Sequence, residues 1–263
     1  MFLTLRIIVI LLIKFSILQS LLAQGENVVQ DSAENIEAGK RVYMKKCKYC
    51  HGVDGEGDGP AAPFLDPPPR DLTRARYKII STGSGELPTD QDIFNVISNG
   101  VPDTSMPGWS SLSEIEKWQT VQYIKTLAER FKWYKEIKKV PKTVKIDNPP
   151  PATKGSIERG RRIYMKKLEC WKCHGESGRG GGPSAVKLTD EWEYPIKATN
   201  LTKPWKFKTG STQKDIYRVM ITGIAGTPMP AFLTGNTEEE LWDLTNYVKS
   251  LSIKKRPQKA IVL

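Results

Sequence analysis

Gly39-Lys40-Arg41-Val42-Tyr43-Met44-Lys45-Lys46-Cys47-Lys48-Tyr49-Cys50-His51 returns later in the chain as Gly160-Arg161-Arg162-Ile163-Tyr164-Met165-Lys166-Lys167-Leu168-Glu169-Cys170-Trp171-Lys172-Cys173-His174. Glycine, tyrosine, methionine and a pair of lysines recur in the same order. Each run leads into C-x-x-C-H, the second after two extra residues. Self-similarity of this kind marks a duplicated structural unit. Working outward, Asp92-Ile93-Phe94 matches Asp215-Ile216-Tyr217, Gly100 matches Gly223, and Met106-Pro107 matches Met229-Pro230, all at the offset of 123 that separates Cys47 from Cys170. Trp118 and Tyr123 match Trp242 and Tyr247 at an offset one larger. The middle of the repeat is not constant: Asp71-Leu72-Thr73 corresponds to Asn200-Leu201-Thr202, so the second copy has six more residues before this point and six fewer after it.

The duplication divides the 263 residues into two domains, at 34–137 and 156–252, with a linker at 138–155 and a tail at 253–263. Pro141 and the run Pro149-Pro150-Pro151 predict an extended, semi-rigid linker. The spacing predicts helices over 36–46 and 156–168, each running into a cysteine motif, and over 90–98 and 213–222. Ser113-x-x-Glu116 and Thr237-x-x-Glu240 read as capping boxes that open helices reaching 127 and 251. Glycines 55, 57, 59, 178 and 180–182 mark loops. No run alternates as a strand does, so the expected fold class is all-α.

The composition, 39% hydrophobic and 26% charged, is that of a folded protein. The formal charge of +11 suits nucleic acid, an anionic membrane surface or acidic protein partners. No nucleic-acid recognition motif is present, which removes the first. At the N-terminus, Arg6 precedes an apolar run over 7–13, and the apolar character resumes to Ala23. This reads as an export signal over residues 1–23, cleaved after Ala23, and predicts an extracytoplasmic protein such as one of the periplasm. The rival reading is an uncleaved membrane anchor, but Lys14, Gln19 and two serines interrupt the roughly 20 apolar residues that a span needs. Loss of Arg6 and Lys14 with the signal lowers the charge from +11 to +9.

Cys47, Cys50, Cys170 and Cys173 are the only cysteines, and His51 and His174 the only histidines. Every one falls inside a C-x-x-C-H motif. The two thiols of such a motif add to the two vinyl groups of one haem, and the histidine that follows sends its imidazole to the iron. A thioredoxin-type pair or half a zinc site are the alternatives. A zinc site needs further Cys or His ligands, and none lies outside the motifs. The expected cofactors are two covalently attached haem c groups.

Each copy resembles a class I cytochrome c domain, and together the copies cover most of the chain. In that family the N-terminal helix carries a glycine and an aromatic residue where it crosses the C-terminal helix. Gly39 with Tyr43, and Gly160 with Tyr164, match those positions, with crossing partners around Tyr123 and Tyr247. The resemblance implies two tandem class I domains joined by the proline-rich linker. The sixth iron ligand follows by elimination, because no third histidine exists. Met1 lies in the signal, and Met44, Met165 and Met220 read as core. Met106 and Met229 remain, each 55 residues after its histidine (51 to 106, 174 to 229) and each followed by a proline that holds the loop extended. A Met-Pro loop at this position is the family's distal-ligand segment.

The resemblance also implies that the carbonyls of Pro60 and Pro183, each nine residues after its histidine, accept the imidazole N–H. Arg70 is expected to pair with a haem propionate, since guanidinium suits carboxylates. Trp109, Trp205 and Tyr77 read as core. With both axial positions filled, the expected activity is single-electron transfer between redox proteins that present acidic docking surfaces. Membrane association is expected only through the N-terminal segment. The second copy is similar to diheme cytochromes that accompany nitrite- and nitrate-type molybdenum oxidoreductases, in the segments Thr199-Asn200-Leu201-Thr202, Asp215-Ile216-Tyr217 and Gly226-Thr227-Pro228-Met229-Pro230-Ala231-Phe232. Alternatives are a membrane-anchored cytochrome subunit of a respiratory complex, or a diheme peroxidase-like enzyme. The missing distal histidine and spare cysteine argue against catalysis.

Overall fold

A computed structural model describes residues 29–253. The proposed signal over 1–23 and the basic residues of the tail, Lys254, Lys255, Arg256 and Lys259, lie outside the described residues. The chain divides into two units. Unit 1 gathers residues 29–75, Thr89–Gly100 and Pro107–Val140; unit 2 gathers Arg76–Pro88, Val101–Met106 and residues 141–253. Among the described residues there is no strand, only isolated bridges between Thr82 and Thr143 and between Thr189 and Pro195. The fold is all-α, with two similar copies in tandem.

Unit 1 contains α1 (Ala33–Lys46), the short α2 (Lys48–His51), α3 (Asp90–Asn99), α4 (Glu114–Thr126) and α5 (Glu129–Glu136). The unit is built on the crossing of α1 with α4. Gly39 makes the crossing possible: a Cβ there would lie 1.9 Å from the backbone oxygen of Gln119. One turn on, buried Tyr43 meets Tyr123 with ring centroids 5.1 Å apart. Phe94 of α3 stacks on Trp118 of α4 at 4.1 Å. Ser113 and Glu116 form the expected capping box, satisfying two backbone N–H groups at the start of α4. Helix α5 had no signal in the periodicity, since Phe131 and Tyr134 are its only buried residues.

Unit 2 repeats the plan with α6 (Lys154–Arg162), a π-helical turn (Ile163–Lys167), α7 (Trp171–His174), α8 (Gln213–Thr222) and α9 (Glu238–Ser250). A Cβ on Gly160 would lie 2.0 Å from the Asp243 carbonyl oxygen, and Tyr164 packs on Tyr247 at 5.2 Å. Tyr217 stacks on Trp242 at 3.9 Å. The expected single helix over 156–168 is therefore α-helical only to Arg162. The π turn, closed by Leu168 N–H on the Ile163 carbonyl at 2.9 Å, and the left-handed Glu169 (φ 49°) absorb the two extra residues ahead of Cys170. In the first copy the helix runs straight into the motif, with Cys47 N–H on the Tyr43 carbonyl at 2.7 Å.

The second half of the linker lies on unit 2. Val144 N–H bonds the Ser81 carbonyl at 2.8 Å, Val144 and Ile146 pack against the unit's core, and Gln213 reaches the Pro150 carbonyl at 3.5 Å. Helix α6 already begins at Lys154, inside the expected linker range, because Thr153 caps it. No helix of the described residues is long and apolar enough to cross a membrane.

Candidate haem sites

Each C-x-x-C-H motif is wound into one helical turn. His51 N–H bonds the Cys47 carbonyl at 2.9 Å, and His174 N–H bonds the Cys170 carbonyl at 2.9 Å. The turn presents both thiols and the imidazole together. No disulfide joins any of the four cysteines, and all are half-buried. Burial pushes the Cys47 thiol up to about 12 and the Cys170 thiol up to about 11, helped in each case by the neighbouring motif cysteine. These are surroundings that disfavour a thiolate and suit an uncharged thioether.

The imidazoles are fixed identically. His51 Nδ1 lies 3.0 Å from the Arg70 carbonyl oxygen, and His174 Nδ1 lies 3.0 Å from the Thr199 carbonyl oxygen. A carbonyl only accepts, so each Nδ1 carries the proton and each Nε2 keeps its lone pair for a metal. Burial lowers both imidazole pKa values, outweighing the raising effect of those hydrogen bonds, and keeps the rings in the neutral, ligating form.

Here the expectation for Pro60 and Pro183 is corrected. Both prolines are exposed, and the imidazole N–H groups go to Arg70 and Thr199 instead. The prolines shape the loop: Pro183 opens a 3-10 turn, and Ala61 N–H just after Pro60 bonds the Tyr49 carbonyl at 2.8 Å. The position of the two acceptors has a local cause. Arg70 and Thr199 each precede the matched triplets Asp71-Leu72-Thr73 and Asn200-Leu201-Thr202. The Oδ1 of Asp71 accepts Thr73 N–H at 2.9 Å and its hydroxyl at 2.6 Å; Asn200 Oδ1 does the same for Thr202 at 3.0 and 2.7 Å. Leu72 N–H reaches the Gly55 carbonyl at 2.7 Å and Leu201 N–H the Gly178 carbonyl at 2.6 Å. The turn that offers the carbonyl to the histidine is thus stitched to the glycine loop that follows the histidine. On the other side, Tyr43 Oη donates to the Gly52 carbonyl at 2.8 Å and Tyr164 Oη to the Gly175 carbonyl at 2.6 Å.

The two methionine loops share one backbone design. Val101 N–H bonds the Met106 carbonyl at 3.0 Å, and Ile224 N–H bonds the Met229 carbonyl at 3.0 Å. The Thr104 hydroxyl donates to the Val101 carbonyl at 2.8 Å and accepts Met106 N–H at 3.1 Å. Thr227 repeats this with the Ile224 carbonyl at 2.8 Å and Met229 N–H at 3.2 Å. Both methionines are half-buried. Met229 and His174 lie in unit 2; His51 lies in unit 1, whereas Met106 clusters with unit 2. Met220 is buried in the core of unit 2, and Met165 packs against that core.

Two helical copies, each presenting a thiol pair and an N–H-anchored imidazole from one turn, define a c-type cytochrome with two attachment sites. Residues 34–124 match the family described as Cytochrome C oxidase, cbb3-type, subunit III, and residues 157–252 match Cytochrome c. A chain of the Kuenenia stuttgartiensis reducing HAO-like protein complex is 42% identical to this one with a TM-score of 0.78, over 82% of this chain and 96% of that one. None of the curated proteins compared gives a match. The chain belongs to the diheme class I c-type cytochromes. It carries two covalently attached haem c groups, at Cys47 and Cys50 and at Cys170 and Cys173, and serves electron transfer. The haem supplies the one-electron chemistry. The chain fixes imidazole orientation through the carbonyls of Arg70 and Thr199.

Proposed function

We propose that the protein is an exported diheme relay that moves single electrons between extracytoplasmic redox proteins, with Met106 and Met229 as sixth ligands. The matched methionine loops carry this reading. Two segments 123 residues apart keep the same three hydrogen bonds around a Met-Pro pair at the same spacing from the proximal histidine. A thioether ligand raises the reduction potential and leaves no open iron position for a substrate, which favours carriage over catalysis. Arg70, half-buried beside the His51 anchor, is proposed as a propionate partner through its guanidinium.

For the partner, the 42% identity to a chain of a reducing HAO-like protein complex favours an HAO-like protein over a molybdenum oxidoreductase. Export through residues 1–23 places the exchange outside the cytoplasm. The test is ferric-state EPR with near-infrared magnetic circular dichroism on the purified protein. Two low-spin haems, both with the methionine charge-transfer band, are expected. A high-spin haem, or one that binds added ligand readily, would sink the relay reading at that site and reopen the enzymatic one.

A further inference from the structure

The Met229 turn carries a support that the repeat does not provide to its first copy. Residues 189–195 fall in the stretch where the second copy is six residues longer, between Pro183 and Asn200. The stretch forms a closed loop. Thr189 bridges to Pro195, and Asp190 N–H bonds the Tyr194 carbonyl at 3.0 Å. Buried Asp190 organises it: Oδ1 accepts the N–H of Trp192 and of Tyr194, both at 3.1 Å, while Oδ2 meets Lys78 Nζ at 3.4 Å. Glu191 pairs with Arg76 at 3.3 Å.

The loop is pressed onto the turn that carries Met229. Glu191 N–H bonds the Gly226 carbonyl at 3.0 Å. A Cβ on Gly226, itself at φ 73°, would lie 2.7 Å from Glu191 Oε1 and 3.0 Å from the Trp192 ring. Gly226 is the residue before Thr227, whose hydroxyl holds Met229 N–H. At the corresponding place the first copy has Asp103, left-handed at φ 59° and paired through half-exposed side chains with Lys206.

We propose that the loop over 189–195 is a brace that keeps Met229 on the second haem, with Trp192 and Asp190 as positioning residues for that ligand. The proposal rests on the reading of Met229 as a ligand. A turn covered on one side by an aromatic ring and tied by a backbone hydrogen bond has fewer arrangements in which the thioether swings away. Loss of the brace raises the fraction of ferric haem with Met229 detached, and apparent affinity for an external ligand rises in proportion to that fraction.

The experiment is imidazole titration of the ferric diheme protein, followed by the near-infrared methionine band, with Met229→Ala assigning the second haem. Trp192→Ala is expected to raise imidazole affinity at the second haem about tenfold and leave the first unchanged, while Trp192→Phe stays within about twofold of the parent. Asp190→Asn keeps the Oδ1 acceptor but drops the charge facing Lys78, and is expected to shift the same haem in the same direction by less. Should Trp192→Ala fail to retain two haems, this variant carries the test. Parental affinity at both haems in Trp192→Ala, or in Asp190→Asn where Trp192→Ala does not hold both haems, overturns the brace. If Met229→Ala leaves the methionine band of both haems intact, the ligand reading has failed and the brace with it. A band lost in Met229→Ala beside unmoved affinity in Trp192→Ala sinks the brace alone.

Discussion

Met106 and Met229 each sit in a turn held by the same three hydrogen bonds, and this makes them the residues to substitute first. Replacing either by alanine is expected to abolish one of two methionine bands. The potential of that haem should drop on the order of 0.1 V, a fraction of the roughly 0.8 V that axial ligands span. Spectroelectrochemistry of each variant checks this; an unchanged potential would show that the thioether does not reach the iron. At the same scale, the proximal side was only half legible. The motif marks the histidines, but their acceptors are the carbonyls of Arg70 and Thr199 and not those of Pro60 and Pro183 that the resemblance implies. The Asp71-Leu72-Thr73 and Asn200-Leu201-Thr202 match was visible in the repeat, but a backbone carbonyl leaves no side-chain signal at Arg70 or Thr199. What the match encodes is an Asx turn that aims the preceding carbonyl.

Helices meet here through one small residue per copy. Gly39→Ala and Gly160→Ala would each place a methyl at about van der Waals half-distance from a backbone oxygen, at 1.9 and 2.0 Å respectively. Backbone cannot yield as a flexible side chain does, so each variant is expected to lose about 3 kcal/mol or more. Denaturant unfolding of the holoprotein measures it, and a loss under 1 kcal/mol would mean that the crossing is looser than described. The capping boxes at Ser113 and Thr237 and the Gly-Tyr crossing were readable, because each is written in side chains at fixed spacing; the residues of the aromatic stacks were visible only as matches between the copies, not as partners. The π turn was not. Its cause is a count: two residues had to be absorbed while Tyr164 still reached the Gly175 carbonyl, as Tyr43 reaches that of Gly52.

For the whole molecule, the charge of +11, or +9 once residues 1–23 are removed, makes a kinetic statement. Electron exchange with an acidic redox protein is expected to slow as ionic strength rises, since screening shortens the reach of steering to about 10 Å at 0.1 M salt. Stopped-flow rates over a salt series test this. A flat or rising dependence would assign the docking face to the apolar exposed residues Tyr49, Val53 and Phe64 or to local acidic groups rather than to the net charge.

By itself the sequence determined the duplication, the two attachment motifs, the all-α class and the starts of the two helices capped by Ser113 and Thr237, because covalent chemistry, caps and close crossings each demand particular residues at particular separations. The tertiary structure alone decided where the unequal loops go. The longer segment of the first copy, Arg76–Pro88, and the longer loop of the second, around Asp190, were visible only as compensating lengths. Within unit 2 they meet through Lys78 with Asp190 and Arg76 with Glu191. Contacts between segments more than a hundred residues apart depend on the packing of everything between them, and no local pattern records that.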